Sequence, residues 1–160
     1  PMAENLIKEY NLDNNSSVLD VGCGKAFILY ELKKILPDLE IMGFDYSEYA
    51  IENSKKEIRN FLFKHKAEDP FPFDDKKFDL TISTGCLHNL KIQGVVSAIS
   101  EISRVSKKSY IMVESYRNRQ ELFNLQCWAL TCQTFLDKSE WLWLFKNNKF
   151  NGDYEFIYFE

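Results

Sequence analysis

One stretch constrains the chain more than any other: Ser17-Val18-Leu19-Asp20-Val21-Gly22-Cys23-Gly24, followed at once by an amphipathic run from Lys25 to Leu36. It reads as a short buried strand, a glycine-hinged turn and the start of a helix. Glycines at 22 and 24 let the backbone turn sharply and let a ligand approach more closely than a Cβ would permit. The free N–H groups at the start of the helix point into the same space. The next apolar run, Leu39-Glu40-Ile41-Met42-Gly43-Phe44-Asp45, ends in a carboxylate. In a βαβ unit this second strand lies beside the first, so Asp45 is expected next to the glycine turn, where a carboxylate accepts hydrogen bonds from both hydroxyls of a ribose.

A dinucleotide fingerprint needs a third glycine three residues after the second, and Phe27 stands there. That argues against a nicotinamide dehydrogenase. Asp20-Val21-Gly22-Cys23-Gly24, with Asp45 closing the next strand, instead resembles the class I S-adenosylmethionine-dependent methyltransferases. Their first motif reads acidic, any, Gly, any, Gly, usually with a further Gly where this chain has Ala26. The later segments match as well, so the resemblance covers nearly the whole chain. It implies an α/β, Rossmann-like fold with a mostly parallel twisted sheet, an antiparallel C-terminal strand and helices on both faces. It also implies S-adenosylmethionine as cofactor. The closing stretch is similar to bacterial methyltransferases associated with surface-polysaccharide synthesis, which suggests a sugar or nucleotide-sugar acceptor.

A chain of 160 residues, 45% of them hydrophobic, supports a single domain over 1–160. No apolar run approaches the ~20 residues of a membrane helix, and no secretory leader is read at the start. Pro1 ahead of Met2 reads as an appended residue or as a trimmed start, and the second alternative implies a further N-terminal piece. Cys23, Cys86, Cys127 and Cys132 have neither CxxC spacing nor a histidine cluster. They read as reduced, mostly buried thiols of a cytoplasmic protein, with no metal site. The net charge of −4 and the lack of a basic block disfavour a nucleic-acid partner.

Periodicity predicts helices over 2–11, about 26–36 and about 48–60, the last with Ser47 as N-cap. Strands are expected at Val18–Val21, Phe61–His65, Phe78–Thr84 and Tyr110–Glu114. Ile92, Val95, Val96, Ile99 and Ile102 form a helical stripe. The run from Leu122 to Leu136 fits helix or strand. Asp137-Lys138-Ser139-Glu140 has the pattern of a capping box. Tyr154–Phe159 has apolar residues on both faces and is expected to be a covered strand.

The resemblance places Lys66 where an acidic residue usually begins the adenine contact. Backbone at Ala67 then meets the ring, and Glu68 or Asp69 supplies the acceptor for its amino group. It also places Asp20, Gly22, Cys23 and Gly24, then Asp45 and Tyr46, and finally the backbone near Thr84 and Gly85 around the cofactor. Methyl transfer needs alignment and exclusion of water rather than a covalent nucleophile. A hydroxyl acceptor needs a group to take its proton. His88, just past the fourth strand, is the first candidate, with Glu114 and Tyr116 after the fifth; the plainer role is packing or capping for His88, and that of ordinary polar residues at a strand end for the other two. Cys86, with no base beside it, reads as a lining residue. These residues suggest a small-molecule acceptor. The competing expectation is a catalytically impaired cofactor- or partner-binding module, motivated by Lys66 and Ala26.

Overall fold

The computed structural model describes residues 2–160. In chain order the elements are α1 (Met2–Tyr10), β1 (Ser17–Val21), α2 (Phe27–Ile35), β2 (Glu40–Asp45), α3 (Glu48–Glu52), β3 (Leu62–Lys64), β4 (Phe78–Thr84), α4 (Ile92–Val105), β5 (Ser106–Glu114), α5 (Arg119–Trp128), α6 (Lys138–Asn147) and β6 (Asp153–Ile157). The six strands form one sheet in the order β3-β2-β1-β4-β5-β6. Every neighbouring pair is parallel.

Parallel strands need a crossover covering a face, so the central strands are apolar on both sides. All five residues of β1 are buried. On one face Leu6 and Tyr10 of α1 and Leu29 and Leu32 of α2 pack on Val18, Ile41, Leu80 and Ile82. On the other, Val95, Ile99 and Ile102 of α4 and Trp141 and Phe145 of α6 cover Leu19, Val21, Phe44, Ile111 and Val113. The strand order reverses between β1 and β4. The C-terminal ends of these two strands therefore frame the crevice in which open α/β sheets take ligands.

The sequence expectation of an antiparallel last strand is corrected. Tyr154 pairs with Ile111 and Phe156 with Val113 in parallel register. The connection from β5 carries two helices, long enough to return the chain to the bottom of the sheet before β6 begins. Nor is β6 well covered: it is an edge strand, and Tyr154 is 45% exposed. The helix expected over 48–60 stops at Glu52. None of α3 is buried. Ser54 turns its hydroxyl back to the carbonyl of Ile51, and buried Ile58 anchors the chain through a separate turn. Ser47 does cap α3, accepting from the N–H of Ala50, and Asp137 with Glu140 completes the capping box of α6. The ambiguous run after Leu122 divides into the end of α5 and an irregular segment over 129–137. The cysteines are free, but Cys127 is exposed and the other three are only partly covered. Among the described residues no helix is long and apolar enough to cross a membrane.

Candidate active site

The turn after β1 is built on left-handed backbone. Gly22, Gly24 and Ala26 have φ of 72°, 54° and 55°. The N–H groups of Gly22 and Cys23 both donate to the carbonyl of Phe44, at 2.9 and 3.0 Å, which ties the turn to β2. The Asp45 carboxylate then bridges two elements. It accepts from the N–H of Gly24 at 2.8 Å through Oδ2 and from the N–H of Ser47 at 2.7 Å through Oδ1. α2 begins without a side-chain cap. Open space lies in front of Gly24, where no atom comes within 4 Å of the place a Cβ would take.

Asp20 lies beneath this turn. It is 2% exposed, and its sealed Oδ1 has no hydrogen-bond partner. Burial, and then the charge of Asp45, push its carboxyl up to about 7. An orphaned buried carboxylate beside an open glycine cradle and a positioned Asp45 suits a ligand with a ribose and a cationic end.

A cleft of about 850 Å³ opens from the turn across the top of the sheet. Gly22, Asp45, Tyr46, Ala67, Glu68 and Gly85 line it, as do Phe44, His65, Lys66 and Cys86. Of the two candidate acceptors after β3, Glu68 faces the cleft and Asp69 does not. Asp20, Cys23, Gly24 and Thr84 lie outside its lining, as do the three proton-acceptor candidates His88, Glu114 and Tyr116; the Cys23 sulfur points at Gly43, 3.1 Å from where a Cβ would stand there. The wall after β3 is braced by aromatic contacts: Phe44 meets the His65 ring at 5.1 Å and the Phe71 ring at 4.9 Å, both edge-on. Lys66, within the lining, lies over the Tyr46 ring, 5.9 Å from its centre.

The loop after β4 closes the other side. Gly85, with φ of 64°, donates to the carbonyl of Met112 at 2.9 Å. Cys86 packs on Gly22, and burial pushes its thiol up to about 12, so it carries no thiolate near neutrality. His88 and Glu114 meet here. Nδ1 of the imidazole contacts Oε2 of the carboxylate, with both side chains largely buried (7% and 11% exposed) and with no other partner at either atom. The other carboxylate oxygen of Glu114 lies against Gly85 in the cleft wall, 3.4 Å from where a Cβ would stand. Tyr116 is half-buried and separate from this pair. Burial and the charges of Glu140 and Asp137 raise its phenol.

Several cleft residues carry no signal in the sequence: Lys91, Gln93, Gly94, Ser97, Thr131 and Gln133 along the far side. The last two come from the irregular segment after α5, where no periodicity marked them. Gly94 has a structural cause, since a Cβ there would lie 3.1 Å from the Cβ of Glu68 and hold α4 away from the wall.

Comparison with known proteins bears on this geometry. A family profile described as "methyltransferase domain" matches residues 12–149. Demethylmenaquinone methyltransferase of Staphylococcus saprophyticus is 32% identical over 132 residues, covering 78% of this chain and 55% of that protein. The tRNA U34 carboxymethyltransferase of Nautilia profundicola is 35% identical over 91 residues, 53% of this chain and 29% of that one. The chain thus spans about half, or less, of the length of the curated relatives it matches. In fold it is similar to the YcgJ protein of Bacillus subtilis, with a TM-score of 0.72 at 20% identity over 91% of this chain and 66% of that one. With its glycine turn, its Asp45 and its profile match over most of its length, the chain belongs to the methyltransferase domain family, in the class I S-adenosylmethionine-dependent group.

Proposed function

We propose that this protein transfers a methyl group from S-adenosylmethionine to a hydroxyl of a small molecule, with His88 and Glu114 receiving the hydroxyl proton. The cofactor supplies a methyl on a positively charged sulfur, ready for in-line displacement. The chain's own part is to bind, align and deprotonate. In this reading the Asp45 carboxylate takes the ribose hydroxyls, the turn from Asp20 to Gly24 holds the cationic end, and Ala67 with Glu68 meets the adenine. Tyr46 and the backbone at Thr84 and Gly85 complete the cofactor side.

The observation that carries the acceptor chemistry is the contact between His88 and Glu114 at the ends of β4 and β5, against the cleft wall at Gly85. A carboxylate on Nδ1 keeps the proton there and leaves Nε2 as the ring nitrogen able to accept another. The acceptor names carried by relatives, demethylmenaquinone and tRNA, differ widely. The acidic net charge and the absence of a basic stripe favour a small acceptor over tRNA. The impaired-module reading loses one of its motives, because Ala26 adopts the left-handed conformation that a glycine would give.

The test is incubation with methyl-labelled S-adenosylmethionine and a panel of small hydroxylated acceptors: phenols, sugars and nucleotide-sugars. Label in an ether product, absent with His88→Gln, supports the reading. Cofactor binding without transfer to any member of the panel, or transfer only to tRNA, contradicts it.

A further inference from the structure

The loop that carries His88 and the strand end just past Glu114 are bound by one irregular segment. Residues 129–137, between α5 and α6, have no regular secondary structure. They nevertheless lie across the loop after β4 on a series of hydrogen bonds. The N–H groups of Gln133 and Thr134 converge on the carbonyl of His88, at 2.9 and 3.0 Å. The Thr134 hydroxyl donates to the carbonyl of Leu90 at 2.6 Å. Gln133 Nε2 donates to the carbonyl of Asn89 at 2.8 Å, and Thr131 donates its hydroxyl to Asn89 Oδ1 at 2.7 Å. The same segment reaches the other strand. Ser115, next to Glu114, donates its hydroxyl to the carbonyl of Leu136 at 3.1 Å; just beyond the segment, Trp141 Nε1 of α6 donates to the carbonyl of Glu114 at 3.2 Å.

His88 sits in a single 3₁₀ turn, Leu87–Asn89. Such a turn has poor internal hydrogen-bond geometry and little hold on its own side chains. A proton acceptor must stay within about 2.6–3.2 Å of its target, and a misplacement of ~1 Å costs about a hundredfold in rate. Something outside the turn has to fix it. Thr131 and Gln133 are exposed and face the cleft, whereas Thr134 is 6% exposed and does not line it. Gln133 and Thr134 each contribute both an N–H and a side chain to the loop backbone, and of the two only Thr134 is buried and outside the cleft lining.

We infer that Thr134 is a positioning residue: by pinning the backbone from His88 to Leu90 it keeps His88 Nδ1 on Glu114 and Nε2 directed to the acceptor, without touching acceptor or cofactor. This rests on the His88–Glu114 reading above.

Ring ¹⁵N spectra of the full chain with S-adenosylhomocysteine as bound probe test it directly. The sequence has two histidines, and His88→Gln assigns the signals. In the wild type His88 should show one tautomer, protonated at Nδ1. Thr134→Val should lose it to a tautomer average while affinity for the probe is unchanged, and Thr134→Ser should restore it. If Thr134→Val fails to bind the probe, Thr134→Ala, which removes the hydroxyl without added bulk, takes its place. A single tautomer kept in the Val or Ala variant but lost in Glu114→Gln overturns the role of Thr134 and leaves the pair standing. A wild-type His88 that is tautomer-averaged and indifferent to Glu114→Gln overturns the pair and this inference with it.

Discussion

A methyl group on Gly22 would lie 2.3 Å from the sulfur of Cys86 and 2.5 Å from its Cβ. The glycine turn of β1 and the loop after β4 thus touch across the switch point of the sheet, with no room for a side chain. Gly22 is also at φ 72°, where a Cβ costs about 1–2 kcal/mol without any clash. Gly22→Ala should therefore lower stability by about 2 kcal/mol or more in urea unfolding. Adding Cys86→Ala should not rescue it, because the Cβ of residue 86 remains in the way. Adding Cys86→Gly should relieve the clash and leave the strain. A fully stable Gly22→Ala protein contradicts the packing described.

Asp20 gives the fold a pH dependence. Its folded carboxyl is raised to about 7, from near 4 in the unfolded chain. Between those values the native state holds a proton that the unfolded state has lost. Stability from this group is complete below about pH 4 and falls as the pH rises to about 7. Asp20→Asn should remove that fall and be more stable than the wild type at pH 8, by about 2–4 kcal/mol. It should also weaken S-adenosylhomocysteine binding, since the ammonium of that ligand favours an ionised neighbour. Parallel pH curves for the two proteins sink this account.

Arg104 pins the proline-containing loop behind the cleft wall. It donates to the carbonyls of Phe73 and Phe71 at 2.8 and 3.1 Å, to Asp75 at 2.8 Å, and twice to Glu101 at 2.7 Å. Lysine cannot reproduce that fork, so Arg104→Lys should cost about 1–3 kcal/mol at neutral pH. The hydrogen bond from Arg104 holds the Glu101 carboxyl below its usual value. Its stabilisation is therefore present above the unfolded value near 4.3 and lost as the pH drops below it. The penalty of Arg104→Lys, read from urea midpoints, should shrink at pH 3. An undiminished penalty there removes the ion pair from the explanation.

For His88 the expected signature is kinetic. His88→Gln should lower kcat by about 10²–10⁴-fold while S-adenosylhomocysteine affinity stays within about twofold, as for a proton acceptor that meets only the acceptor. Equal turnover in variant and wild type returns His88 to a packing role.

The sequence shows some of this and conceals the rest for physical reasons. The turn Asp20–Gly24 and the carboxylate Asp45 are legible because each sits at the end of a short apolar run, and βαβ geometry brings such ends together. The direction of β6 is not, since alternation of side chains is the same whichever way a strand runs. The length of α3 was overread because periodicity in 48–60 says nothing of whether a partner surface exists, and α3 buries none of its residues. α5 is hidden because the apolar residues from Leu122 onward follow no clear period, and two of the largest, Phe123 and Trp128, are 60% and 73% exposed. His88 and Glu114 were each suspected alone. Their contact depends on β4 lying beside β5 in a register where Thr84 faces Met112, which no local pattern encodes.

The central claim, a class I cofactor site built on the β1 turn and Asp45, is tested most directly by calorimetry with S-adenosylhomocysteine on the wild type and Asp45→Ala. The Asp45 carboxylate holds both Gly24 and Ser47, so its loss removes ligand contacts and turn order together. Saturable one-to-one binding by the wild type, weakened about tenfold or more in the variant, is the predicted result. No binding by the wild type, or equal binding by both proteins, would contradict it.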